Sequence, residues 1–191
     1  MCGIFGHISE QFLEINENIL AHRGPDSFGN EKITIEDKKV TLFHSRLEII
    51  GLGEQGLQPF IIEGYNSVLI YNGEIYNYRE LKKDLEKKFK ETFHTKTDTE
   101  VLYKLLHHYD IKECLEKING MFAFAYLNKS KGNLILARDP VGIKPLYYFH
   151  DQNCFSFSSE IKIFFKLNLK ESILNNKVLG EYFANGWIYE P

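Results

Sequence analysis

Apolar and polar positions alternate over several short stretches of this chain and recur at helical spacing over two others. The first residues, Cys2 to Gly6, read as an apolar strand. Phe12, Ile15, Ile19 and Leu20 give a short helical stripe at best. Between His22 and Gly29, Gly-Pro-Asp and a second glycine demand a sharply turned loop. Ile33 and Ile35 then alternate with polar neighbours, Glu36-Asp37-Lys38-Lys39 turns, and Val40 to His44 returns, which predicts a hairpin. A glycine-bearing loop from Gly51 to Pro59 leads to the apolar run Phe60-Ile61-Ile62 and a strand at Ser67 to Tyr71.

Two helices follow. Asn77 can cap the first, and Leu81, Leu85 and Phe89 line one face among lysines. The second opens on a Thr97-Asp98-Thr99-Glu100 capping box, with Val101, Leu102, Leu105, Leu106 and Tyr109 as its stripe. From Gly120 the pattern changes to short strands at 121–126, 134–137, 146–149 and 154–157, joined by turns and therefore antiparallel. Strands at both ends of the sequence with helices gathered between them predict an α+β fold, not the alternation of a doubly wound sheet. Beyond Glu160 the periodicity weakens. The aromatic residues from Tyr182 to Tyr189 have no local partner, as if they packed against something beyond the chain.

Composition narrows this picture. With 191 residues, 43% apolar and 14% aromatic, the chain can bury a core and fits one domain, or one with a tail. Its 26 acidic and 23 basic residues show no basic run interleaved with aromatics, which argues against binding nucleic acid or an anionic membrane surface. No apolar run is long enough to span a bilayer and the start lacks a signal peptide's character, so a cytoplasmic protein is expected. Cys2, Cys114 and Cys154 are irregularly spaced, which suits free thiols better than disulfides or a metal site; no metal is expected.

Candidate chemistry gathers at four places. If Met1 is removed, as the small residue at position 2 permits, Cys2 carries both a thiol and a free α-amine, a nucleophile with its own base; alone it could equally be the first residue of a strand. Asn72-Gly73 at a strand end offers an amide and an unobstructed backbone N–H for an oxyanion, yet Asn-Gly is also the commonest hairpin turn. Asp98 could pair a substrate ammonium or complement the helix dipole. Arg46 could fork onto a carboxylate or lie in solvent. The histidines His7, His44, His107 and His108 show no metal-ligand spacing with carboxylates.

Taken together, Cys2-Gly3-Ile4-Phe5-Gly6, His22-Arg23-Gly24-Pro25-Asp26, His44-Ser45-Arg46-Leu47, Gln58-Pro59, Asn72-Gly73-Glu74-Ile75-Tyr76-Asn77, Thr97-Asp98-Thr99-Glu100, Gly120-Met121-Phe122-Ala123-Phe124-Ala125 and Ala137-Arg138-Asp139-Pro140-Val141-Gly142-Ile143-Lys144-Pro145-Leu146-Tyr147-Tyr148 resemble, in order, the glutaminase domain of glutamine-hydrolysing asparagine synthetases. The resemblance implies a class II glutamine amidotransferase domain over residues 2–165. Its fold would be that of the N-terminal-nucleophile hydrolases, a four-layer αββα sandwich of two antiparallel sheets. Carried over by motif, Cys2 is the nucleophile and its α-amine the base, with Asn72 and Gly73 as the oxyanion hole. Arg46 would hold the α-carboxylate of L-glutamine; Asp98, with Glu74 and the stretch of Leu47, Ile49 and Ile50, would hold its α-ammonium and orient the amide.

The chain departs from the family's usual pattern at Gly51, where an Asp is common, and at Thr97, where a Ser is common. The family's Ser-Gly-Gly-x-Asp-Ser nucleotide loop does not occur in these residues. Residues 166–191 are therefore expected to lead toward a C-terminal synthetase domain that uses ATP and magnesium, in a full-length form that could be a homodimer. The implied reaction is hydrolysis of glutamine to glutamate and ammonia for asparagine synthesis. The alternatives are a related amidotransferase with another acceptor, or a catalytically silent scaffold of the same fold.

Overall fold

The computed structural model describes residues 1–49, 51 and 53–188 of the chain. The chain divides into two compact units, Met1–Ile161 and Lys162–Pro191. In the first, a five-stranded antiparallel sheet has the order β2-β3-β1-β8-β7, formed by β1 (Gly3–Ser9), β2 (Ser27–Ile35), β3 (Lys38–Arg46), β7 (Tyr147–His150) and β8 (Phe155–Ser158). A three-stranded antiparallel sheet, β4-β5-β6, contains β4 (Ser67–Ile75), β5 (Gly120–Asn128) and β6 (Asn133–Arg138). The helices α1 (Tyr78–Phe89), α2 (Asp98–His108) and α3 (Ile111–Lys117) lie between β4 and β5 in sequence. The fold is α+β, with the antiparallel pairing that short consecutive strands require.

Two apolar cores follow from the two-residue period of the strands. Leu69, Tyr71 and Ile75 of β4 and Phe122, Phe124 and Tyr126 of β5 face Leu81, Leu85, Leu102 and Leu105 of the helices. The intervening Val68 and Ile70 of β4, with Ala123 and Ala125 of β5, face Ile4, Val40 and Leu42 of the larger sheet. The alanines leave room for the sheets to meet face to face. His44 ties the two together, its Nε2–H donating to the Tyr71 carbonyl oxygen at 3.1 Å. In the second unit, the region where periodicity fades forms α4 (Lys162–Lys166) and α5 (Asn176–Asn185).

Several local expectations need correction. The turn after β2 is Glu36-Asp37 alone, with Glu36 at φ 53°, so Lys38 and Lys39 already belong to β3. Ser27 to Gly29 lie in β2 instead of a loop. The 12–20 stripe yields only a 3₁₀ turn at Glu17–Leu20. The apolar run at Phe60, left unassigned by its pattern, makes a single bridge to Leu69. Asn77 does not cap α1 with its side chain; its amide donates to the Lys117 carbonyl at 2.8 Å and accepts from the Asn119 N–H at 2.9 Å. Helix α3 was not anticipated, although Asp110 caps it by accepting from the Glu113 N–H at 2.9 Å. The capping box at Thr97 is half made: Thr97 accepts from the Glu100 N–H, while the Glu100 carboxylate turns to the backbone N–H groups of His94 and Thr95.

Candidate active site

Alternation along the strands decides which side chains meet. Cys2, immediately before β1, continues the inward face of Ile4; on β3, Arg46 shares it with Leu42 and His44; on β4, Asn72 and Glu74 share it with Ile70. All four of Cys2, Arg46, Asn72 and Glu74 therefore sit at one end of the gap between the sheets, where they line a cavity of about 70 Å³. Leu47, Ile49, Gly73 and Asp98 line it too. Every sequence-derived site residue is thus brought to one place except Ile50, which lies outside the described residues.

The Cys2 sulfur accepts a hydrogen bond from the Leu47 N–H at 3.4 Å. Its backbone carbonyl accepts from Arg23 Nε at 3.0 Å, and Arg23 is backed by Glu160 at 3.3 Å, which also meets His22 Nε2 at 2.6 Å. The His22-Arg23 motif thereby fixes the backbone of the residue next to the terminus. Burial pushes the Cys2 thiol up from its ordinary value; the Leu47 N–H and the positive charges of the terminal ammonium, Arg46 and Lys144 oppose that rise. With Met1 attached, the Cys2 nitrogen is an amide and cannot act as a base.

Asn72 and Gly73 belong to β4 and not to a hairpin turn, since the ladder runs unbroken through Asn72↔Ala123 and Gly73↔Phe122. A Cβ at position 73 would enter the Met121 carbonyl oxygen and the Tyr71 ring, so only glycine lets β4 pass this close. The Asn72 side chain is 1% exposed and its Nδ2 has no partner among the described residues. A buried amide donor left unpaired is costly unless a ligand supplies the acceptor.

Arg46 is buried, with its guanidinium held by Glu48 at 2.9 Å and by the carbonyl oxygens of Gly51 and Gly53. It fastens Glu48, Gly51 and Gly53 to the cavity wall as well as presenting a cation there. Gly51 adopts φ 69°, and a Cβ on it would strike the Thr97 methyl. The chain's two departures from the family pattern are therefore in contact: the methyl that Thr97 adds relative to Ser occupies space that a side chain at 51 would need.

Asp98 Oδ2 accepts from the Tyr71 hydroxyl at 2.8 Å and from the Ile75 N–H at 3.0 Å. Burial raises its carboxyl above the usual range even so, with Glu74 adding to the rise. The same burial, with Asp98 beside it, pushes the Tyr71 phenol well up and keeps it a donor. A buried carboxylate whose charge is not fully compensated is a ready partner for a cation.

Sequence reasoning assigned no role to Tyr71, Gln58 or Lys144. Gln58 Oε1 accepts from the Tyr71 N–H at 2.6 Å and so positions the residue before Asn72. The Gln58-Pro59 and Ile143-Lys144-Pro145 strings carried the family resemblance, and that was their only signal; no local periodicity places either at the cavity.

Comparison with known proteins gives the family and the fold. A family model described as a glutamine amidotransferase domain matches residues 1–191. The chain is 38% identical to a putative glutamine-hydrolysing asparagine synthetase 2 of Methanocaldococcus jannaschii, covering 100% of this chain and 40% of that protein. It is 37% identical to the glutamine-hydrolysing asparagine synthetase 1 of Bacillus subtilis, covering 100% of this chain and 30% of that protein. The chain thus spans well under half the length of these curated relatives. Among solved structures, the glutamine phosphoribosylpyrophosphate amidotransferase of B. subtilis, complexed with ADP and GMP, superposes with a TM-score of 0.69 at 24% identity over 87% of this chain and 44% of that one. That likeness speaks for the fold: two antiparallel sheets with helices.

Proposed function

The chain belongs to the glutamine amidotransferase domain family, and on that premise we propose that it hydrolyses the side-chain amide of L-glutamine through a thioester on Cys2. The observation that carries this reading is the convergence, in one cavity, of the Cys2 thiol with the buried, unpaired amide of Asn72. Once Met1 is removed, the Cys2 α-amine takes the thiol proton and the sulfur attacks the amide carbon. The resulting oxyanion accepts from Asn72 Nδ2 and the Gly73 N–H. As the tetrahedral intermediate collapses, the C–N bond breaks and ammonia leaves with the proton returned by the amine. Water, deprotonated by the same amine, then cleaves the thioester, releasing glutamate and restoring the thiol.

Substrate recognition follows from the charges lining the cavity. Asp98, helped by Glu74, takes the α-ammonium. Arg46, which already holds the Glu48 carboxylate at 2.9 Å, takes the α-carboxylate. Leu47 and Ile49 frame the amide. In the longer protein that the relatives suggest, residues 166–191 would lead to a synthetase domain using ATP and magnesium, with ammonia passed on to make asparagine. A different acceptor is the alternative for that second step. A silent scaffold is disfavoured because an inert module has no reason to keep an unpaired amide beside a thiol. A reducing, cytoplasmic setting and a dimeric full-length form complete the proposal.

The test is to incubate purified, Met1-free chain with glutamine, with and without ATP and aspartate, and follow glutamate, ammonia and asparagine. We expect glutamate and ammonia in equal amounts, no dependence on ATP and no asparagine. Cys2→Ala should abolish turnover while the circular dichroism spectrum persists. Near wild-type turnover in that variant would overturn the mechanism.

A further inference from the structure

The segment from Arg138 to Lys144, which carried much of the family resemblance, has no part in the mechanism above, yet it is built with unusual rigidity. The Asp139 carboxylate accepts from the N–H groups of Ile143 at 2.8 Å, Lys144 at 3.0 Å and Phe122 at 3.3 Å, tying the turn to β5. Arg138 donates to the carbonyl oxygens of Gly142 at 2.6 Å and Lys144 at 2.8 Å. Gly142, at φ 71°, lets the chain reverse between them. Asp139 is buried, and its backbone donors hold its carboxyl below the usual range, so it stays ionised and the turn stays closed. The product of this turn is Lys144, 7% exposed, lining the same cavity as Cys2.

A lysine this buried ordinarily has a carboxylate partner. Among the described residues the Lys144 ammonium has no carboxylate within ion-pair distance, whereas Arg46, another cation of the cavity, is held by Glu48 and two loop carbonyls. We propose that Lys144 acts on the reaction through Cys2: its ammonium, carried into the cavity by the turn, stabilises the anionic sulfur and, after Met1 removal, disfavours protonation of the terminal amine, so that base and nucleophile are both available near neutral pH. The inference rests on the reading of Cys2 as the nucleophile. It assigns Lys144 no proton to give and no substrate group to hold.

The surroundings set the sign. Facing Cys2 are Arg46 from β3, Tyr71 and Glu74 from β4 and Asp98 from α2. Arg46 acts in the same direction as Lys144 but is partly neutralised by Glu48. Tyr71 remains protonated and bonded to Asp98. Burial opposes the thiolate. It is the largest influence on the thiol, and the Leu47 N–H, Arg46 and Lys144 offset it in part.

The experiment reads the thiol directly. Alkylation of Cys2 by iodoacetamide is followed against pH in Met1-free wild type, Lys144→Met, Lys144→Gln and Lys144→Arg, with mass spectrometry of the N-terminal peptide separating Cys2 from Cys114 and Cys154. We expect loss of the charge to move the alkylation midpoint up by about one pH unit, a roughly tenfold loss of thiolate at neutral pH. The acid limb of kcat should follow it, KM for glutamine should change less than about twofold, and Lys144→Arg should restore both readouts. An unchanged midpoint, or a raised KM with an unmoved pH profile, would overturn the proposal and make Lys144 a substrate contact. Lys144→Gln, which keeps length and polarity, serves if the Met variant fails to fold. Alkylation needs no glutamine, so a wild-type chain without glutaminase activity would defeat the preceding section and leave this test standing.

Discussion

Asp98 shows at the scale of one residue how a binding role can be told from a structural one. A carboxylate placed only to complement the start of a helix would have its charged form stabilised and its pKa lowered. Here the shift is upward, because burial outweighs the bonds from Ile75 and Tyr71. A carboxyl whose folded pKa is raised weakens the folded state at neutral pH, relative to a neutral group making the same bonds. Asp98→Asn keeps an oxygen for both donors and removes the charge. We therefore expect a melting temperature equal to or slightly above wild type, with kcat/KM for glutamine down by about a hundredfold, as for truncating one partner of a buried charge pair. A lower melting temperature with intact kcat/KM would return Asp98 to the helix.

Between elements, the loop after β3 and the start of α2 are fitted to each other through Gly51 and Thr97. An alanine at 51 must tolerate both a left-handed backbone and the Thr97 methyl. Thr97→Ser keeps the hydroxyl that accepts from the Glu100 N–H and removes the methyl. Gly51→Ala alone is expected to destabilise by about 2 kcal/mol, of which roughly half is the backbone strain of positive φ. In the Thr97→Ser background that cost should fall by about 0.5–1 kcal/mol, measured by urea unfolding in a double-mutant cycle. Strict additivity would mean that the loop moves away instead. Because the same loop supplies the carbonyls that hold Arg46, KM for glutamine should report the cycle as well.

At the scale of the sheet sandwich, His44 couples fold and pH. It is 1% exposed between the sheets, and burial, with Arg46 adding, lowers its pKa to about 3. A neutral histidine in the fold and a titrating one in the unfolded chain means stability present above pH ~6.5 and lost as pH falls toward the folded value of about 3. The limiting slope is about 1.4 kcal/mol per pH unit. His7 and His107 are also lowered and add to it in the same direction. His44→Gln can still donate to the Tyr71 carbonyl and does not titrate. Denaturant unfolding between pH 6.5 and 4.5 should therefore show a shallower loss of stability in the variant. An unchanged slope would place the acid sensitivity elsewhere.

The sequence by itself determined the local alternation, and with it most strands, two helices, the antiparallel pairing and the α+β class, because side-chain period is a property of neighbouring residues. Together with the family resemblance, it also pointed to Cys2, Arg46, Asn72, Gly73 and Asp98, and to the nature of the chemistry. What it could not weigh was competition between partners far apart in the chain. Asn77 was readable as a cap, but the last residue of α3 brought it a carbonyl and Asn119 before β5 an N–H, and those won. Asn72-Gly73 was readable as a turn, until pairing with β5 carried β4 through it. Only the tertiary structure decided that an arginine already held by Glu48, a lysine presented by a turn 142 residues after Cys2 and an unpaired amide share one cavity. The facing of two sheets, a long-range packing choice with no local signature, put them there.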